Sequence, residues 1–167
     1  MNKKFIAFIT GTSGAGKSTL VNSLKNMNLL NCNIHDFDEG GVPEGADENW
    51  RRERTNHWVN ICTDNYSNGI STIICGVCVP NEIKACEKYT DSLNIAYGFI
   101  EISETAILER LANRSWDNIT IENNINWAKY LKNSVLAEKN NFIVDGEKNN
   151  PTKVAEYVLK QLLKEKV

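Results

Sequence analysis

The stretch Gly11-Thr-Ser-Gly-Ala-Gly-Lys-Ser-Thr19 constrains this chain more than any other. It follows the apolar run Phe5–Thr10 and precedes Leu20, Val21, Leu24 and Met27, which recur at helical spacing. It fits G-x-x-x-x-G-K-[ST] at Gly11, Gly16, Lys17 and Ser18, a match that arises by chance in on the order of 1% of chains this long. Glycines let the backbone curl until successive N–H groups converge on one point, and the following helix aims its positive end at that point. Gly11, Ser13, Gly14, Ala15, Gly16, Lys17, Ser18 and Thr19 are therefore the expected nucleotide-binding residues. Lys17 adds a cation for the β- and γ-phosphates, and the Ser18 hydroxyl a ligand for Mg2+. The competing reading is a structural Gly-rich turn.

Beyond this loop, short β-rich runs alternate with helical patterns. The runs are Phe5–Thr10, Asn33–Phe37, Ser71–Val79, Ile95–Ile102 and Asn141–Asp145. Their nearly continuous apolar character suits strands covered on both faces of a parallel sheet, which makes the fold class α/β. Asn81 can cap a helix holding Ile83 and Cys86, and Ser103 one over Glu104–Asn113. Ile121, Ile125, Ala128, Leu131 and Val135 form another stripe, and Val154, Val158, Leu159, Leu162 and Leu163 mark a closing amphipathic helix. At 167 residues, one domain over 1–167 is expected.

Charge narrows the partners. Nineteen Lys and Arg against twenty-one Asp and Glu leave −2, which argues against general nucleic-acid binding or attachment to an anionic membrane. Any bound anion must be handled locally. The N-terminal apolar run is about six residues, short for a signal-peptide core, and no stretch approaches the ~20 apolar residues of a membrane span, so a cytoplasmic protein is expected. Cys75-Gly-Val-Cys78 has metal-ligand spacing but lies in a strand pattern with no second pair and no neighbouring His; core cysteines are the expectation.

A second cluster lies at the end of the second strand, His35-Asp-Phe-Asp-Glu39. Ligands of open parallel sheets bind at that edge. Asp36 and Asp38 alternate with Phe37, so both carboxylates point to one side while the strand persists. One can hold a Mg2+-bound water while the other orients, or takes a proton from, a substrate hydroxyl. A solvated acidic loop entry is the alternative.

With these residues in hand, the chain resembles the small P-loop kinases: shikimate kinase, gluconate kinase, nucleoside monophosphate kinases and their relatives. The resemblance spans the order of elements through all 167 residues. It implies a P-loop kinase-like three-layer sandwich around a five-stranded parallel sheet of order 2-3-1-4-5. It implies ATP and Mg2+ as cofactors, with Asp36 holding the metal through water and Asp38 meeting the acceptor hydroxyl. It also implies a substrate flap at about 39–66, where an Arg grips the acceptor, and a lid at about 114–120.

Within the flap, Trp50, Arg54 and Trp58 share one helical face, after a start at Asp47 or Glu48. Among Arg51, Arg52 and Arg54, Arg54 is therefore the best substrate-binding candidate. Pairing of the three with Asp47, Glu48 and Glu53 is the alternative. Arg110 and Arg114, four apart, resemble the pair with which the family's helix enters its lid. The first would stack on the base and the second stabilise the transferring phosphoryl group. Asp145 and Gly146 fall where relatives line the adenine pocket.

The chain also departs from its relatives. Cys75-Gly-Val-Cys-Val-Pro-Asn81 lacks the Asp and Arg that nucleoside monophosphate kinases carry after strand three. Only Gly76 answers the triple glycine of shikimate kinase, and it is expected to let substrate approach the sheet edge. The resulting expectation is an ATP-dependent phosphotransferase acting on a small-molecule hydroxyl, with Lys17, Asp38 and Arg114 catalytic, as a monomer or small homo-oligomer. Nucleoside or nucleotide phosphorylation is the nearer alternative, a 5′-hydroxyl polynucleotide acceptor a further one, and an ATP-dependent switch without acceptor the alternative of another class.

Overall fold

The computed structural model describes residues 4–148 and 150–164. Five strands run β1 (Ile6–Thr10), β2 (Cys32–Asp36), β3 (Ser71–Cys75), β4 (Ala96–Glu101) and β5 (Asn141–Asp145). The helices are α1 (Lys17–Asn26), α2 (Glu48–Ser67), α3 (Pro80–Lys84), α4 (Glu104–Ala112), α5 (Asn118–Leu136) and α6 (Pro151–Leu163). Every pairing is parallel and the order is β2-β3-β1-β4-β5, as the resemblance implies.

Alternation along β1 divides the core. Ala7 and Ile9 pack with Leu20 and Leu24 of α1, Ile107 of α4 and Val158 of α6. Ile6 and Phe8 face the other way, onto Trp58 of α2, Ile83 of α3 and Leu131 of α5. Helices thus cover both faces of the sheet, which explains why β1 and β3 are buried at every position. Helix α5 starts against the first layer through Ile121 and ends in the second through Leu131 and Val135.

Local chemistry sets the boundaries. Asp47, Ser103, Asp117 and Asn150 each cap a helix, their side chains accepting from Trp50 N, Ala106 N, Thr120 N and Lys153 N. Asn81 does not cap: α3 opens two residues after Cys78 on Pro80, whose missing N–H costs nothing at the first helical position. Strand β3 stops at Cys75 rather than Val79. There Cys78 N turns back to Gly76 O and to Thr10 Oγ1, so the chain leaves the sheet early. The expected flap is a loop only to Asp47; from Glu48 it is a 20-residue helix. No helix of the described residues is long and apolar enough to cross a membrane.

Candidate active site

The loop between β1 and α1 has the backbone form that anion binding needs. Gly16 caps α1 in the left-handed region (φ 97°) and offers no side-chain cap. The first amides of α1 consequently have no partner within the helix and point out of its end. A side chain at Gly16 would be strained by that φ. Lys17 is half-buried and donates from Nζ to Thr12 O at 2.7 Å. Burial holds its pKa below the ordinary lysine value, while Cys78, Asp36 and Asp38 pull it back up.

The loop is tied to the D-x-D turn. Ser18 Oγ donates to Asp36 Oδ2 at 2.8 Å, and Asp36 Oδ1 accepts from Asp38 N at 3.0 Å. One carboxylate therefore fixes both the loop hydroxyl and the residue expected to meet the acceptor. Phe37, 2% exposed, points into the core between them. Burial and the adjacent Asp36 hold the Asp38 carboxyl above its ordinary pKa, against Lys17 and Arg54.

The Ser18–Asp36 pair has the chemistry of a Mg2+ site. Both donors are hard oxygens, and the ion commonly takes one or two protein oxygens while phosphates and waters complete its shell. Among the described residues no three His, Cys, Asp or Glu side chains converge as a metal site. Cys75 and Cys78 are buried free thiols, and desolvation raises both pKa values.

On the α2 side Arg54 is committed to backbone. Its Nε donates to Phe37 O at 2.9 Å, Nη2 donates to Glu39 O, and its guanidinium lies 4.9 Å over the Trp58 ring. Trp58 Nε1 donates to Phe37 O as well, at 2.9 Å. The pair clasps the turn that carries Asp38. Of the neighbouring arginines, Arg52 pairs as the near-sequence alternative had it, with Glu48 at 3.9 Å and exposed, whereas Arg51 meets Glu82 of α3 at 2.6 Å.

Gly76 corrects an expectation. A Cβ there would sit 2.0 Å from Phe37 Cβ, so the room this glycine leaves is filled by Phe37 rather than left for a substrate. Its necessity comes from core packing beneath the D-x-D turn.

Opposite, Arg110 Nη1 donates to Gly14 O at 2.8 Å and lines a cavity of about 200 Å3 with Gly16, Thr19, Gly146, Pro151 and Val154. That volume is below the ~300–1,000 Å3 of drug-sized ligands, so it suits one ring system rather than a whole nucleotide. Gly146 lines it. Asp145 instead shapes the turn, accepting from Glu147 N and Lys148 N, which holds its pKa low. Arg114 lies past the end of α4, exposed, and Asp117 caps α5 through Thr120.

Comparison with solved structures agrees with this geometry. A sugar kinase from Janibacter sp. superposes with a TM-score of 0.66 at 13% identity, over 96% of this chain and 95% of its own. Shikimate kinase from Aquifex aeolicus gives 0.64 at 20%, over 95% and 96%. A gluconokinase from Sinorhizobium meliloti gives 0.59 at 15%, over 96% and 93%. The chain has the fold of the P-loop kinases. No family model and no curated protein sequence matches it.

Within the P-loop kinase fold, two contacts had no sequence signal. Thr12 Oγ1 donates to Asn124 Oδ1 of α5 at 2.9 Å, tying the loop to that helix across 112 positions. Arg51 and Glu82, 31 apart, pair beside Trp127 of α5, whose ring lies 5.9 Å from the Arg51 guanidinium. Nothing in either segment marks its partner.

Proposed function

We propose that this chain is a Mg2+-dependent kinase that moves the γ-phosphoryl group of ATP to a hydroxyl of a small molecule. The observation that carries the reading is the single Asp36 carboxylate holding Ser18 Oγ with one oxygen and Asp38 N with the other. It ties the phosphate loop to an acid suited to an acceptor.

In this reading the loop amides and Lys17 hold the β- and γ-phosphates, and the base enters the cavity beside Arg110. Mg2+, bound by Ser18 and through water by Asp36, would offset charge on the phosphate oxygens. Asp38 orients the acceptor hydroxyl and takes its proton as the oxygen–phosphorus bond forms; the bond from the γ-phosphorus to its bridging oxygen breaks and ADP leaves. A raised pKa suits a carboxylate that must accept a proton. Arg54 acts through position, holding the turn in which Asp38 sits. Arg114, with no ion pair among the described residues, is free to reach the transferring group as the lid closes and water is excluded.

The test is ATP turnover across sugars, hydroxy acids, nucleosides and a 5′-hydroxyl oligonucleotide, with Asp38→Asn alongside. An acceptor that stimulates turnover and loses about 10^2-fold or more in Asp38→Asn supports the assignment. Intact acceptor-dependent turnover in Asp38→Asn refutes the role of Asp38. No stimulation by any acceptor, with ATP altering association with a protein, favours the switch.

A further inference from the structure

The cations around the acceptor side are already spoken for. Arg51, on the wall of α2 that faces α3 and α5, donates from Nη2 to Glu82 Oε1 at 2.6 Å. Arg51 Nε and Glu82 Oε2 are buried without a partner, although the two side chains as a whole are 31% and 27% exposed. Drawing the guanidinium toward a substrate anion would give up this short ion pair and leave a partly buried carboxylate without its partner. Arg54, one turn on, spends Nε and Nη2 on the carbonyls of Phe37 and Glu39. His35 Nδ1 meets Glu39 Oε2 at 2.8 Å, and desolvation with Arg54 and His35 nearby holds His57 below its ordinary pKa, toward the neutral form. On α5, Lys129 pairs with Glu104 and Lys132 with Glu101.

Asp36, Asp38 and Glu39 share one turn, and α2 joins that turn to Glu82, through Arg54 at one end and Arg51 at the other. Of the other cations, Arg52 is exposed and stands 3.9 Å from Glu48, Arg54 keeps its charge beside Asp38 while bound to the turn, and the proposed reaction assigns Lys17 and Arg114 to phosphate.

We infer that the acceptor is an uncharged hydroxyl compound, because Glu82 neutralises the arginine that would otherwise hold a carboxylate or phosphate. A neutral polyol, sugar or nucleoside enters this cleft without repulsion from Glu82 or Asp38, and its hydroxyls can both donate to carboxylates and accept from N–H groups. An anionic acceptor meets these carboxylates while Arg51 is held by Glu82 and Arg54 is held to the turn by two carbonyls. The inference rests on the kinase reading and goes beyond it in naming the acceptor class.

Matched pairs test it: D-glucitol against D-gluconate, methyl shikimate against shikimate, and thymidine against thymidine 5′-monophosphate. Each is titrated with a non-hydrolysable ATP analogue and Mg2+ present, following the intrinsic fluorescence of the four tryptophans, and then assayed for phosphorylation with ATP. At least one uncharged member should bind, and be phosphorylated, about tenfold or more better than its anionic counterpart. Tighter binding and faster phosphorylation of an anionic member overturns the inference and leaves the kinase reading standing. If no member of any pair binds or is phosphorylated while ATP is still hydrolysed, both readings fall. Glu82→Gln should raise affinity for anionic members about tenfold by releasing Arg51; a folded variant with unchanged anion affinity contradicts the role given to Glu82.

Discussion

Replacing Gly76 by Ala should damage both stability and activity, for a reason visible in one distance. The added Cβ would lie 2.0 Å from Phe37 Cβ, against the ~3.5–4.0 Å of ordinary carbon contacts. An overlap of ~1.5 Å or more must be relieved by moving one backbone away from the other. Phe37 is poorly placed to yield, being 2% exposed with its carbonyl held by Trp58 Nε1 and Arg54 Nε. Overpacking of cores costs ~1–3 kcal/mol, and a clash between two Cβ atoms, which no rotamer change can relieve, belongs at about 3 kcal/mol. At ~2–4 °C per kcal/mol for a chain of this size, Tm should fall by about 6–12 °C in thermal unfolding followed by circular dichroism. Because Phe37 separates Asp36 from Asp38, acceptor-dependent turnover should fall too, by about tenfold or more. A double-mutant cycle isolates the cause. Phe37→Ala keeps the offending Cβ and should couple weakly with Gly76→Ala, whereas Phe37→Gly removes it and should couple by ~1–3 kcal/mol. A Gly76→Ala protein melting within 2 °C of the parent, or equal rescue by Phe37→Ala, would refute the reasoning.

Three further outcomes follow from the site. Lys17→Ala should weaken ATP binding by about 100-fold or more in isothermal titration calorimetry, since it removes the cation expected on the phosphates; an unchanged Kd would remove the loop from the account. Arg110→Ala should weaken ADP binding by about 3–30-fold, the range of a cation–π contact, and weaken inorganic triphosphate less, because Arg110 lines the ring cavity and touches the phosphate loop only at Gly14 O. The acid limb of kcat/KM should lie above the ordinary carboxylate range. Burial and Asp36 favour the protonated form of Asp38, so a higher pH is needed to free it as a base; Asp38→Asn should abolish that limb rather than shift it.

The fold was legible where sequence patterns are local. Continuous apolar runs gave the five strands, and the loop from Gly11 to Thr19 marked the β1–α1 junction. Boundaries slipped where a single turn decided them, as at Cys78, whose backbone bonds to Gly76 and Thr10 end β3 early. The D-x-D turn was legible from its spacing at the end of β2, and Arg110 through the family resemblance alone. What each side chain touches was not. Arg54 was readable as sharing a helical face with Trp50 and Trp58, yet its commitment to Phe37 O and Glu39 O depends on where a 20-residue helix lies against the sheet. Gly76 was noticed as a glycine and given the wrong neighbour, because only packing across two strands brings Phe37 against it. Glu82, the partner of Arg51, carried no signal at all: nothing at α3 distinguishes it from any exposed first-turn acid.

The central claim is that a phosphoryl group passes from ATP to a hydroxyl under the control of Asp38. Phosphorus-31 NMR of the protein with ATP, Mg2+ and a mixed pool of uncharged hydroxyl compounds tests it directly. The account predicts a new phosphomonoester resonance growing in step with ADP, and its loss in Asp38→Asn. Consumption of ATP to ADP and inorganic phosphate alone, or an undiminished phosphomonoester signal in Asp38→Asn, would contradict it.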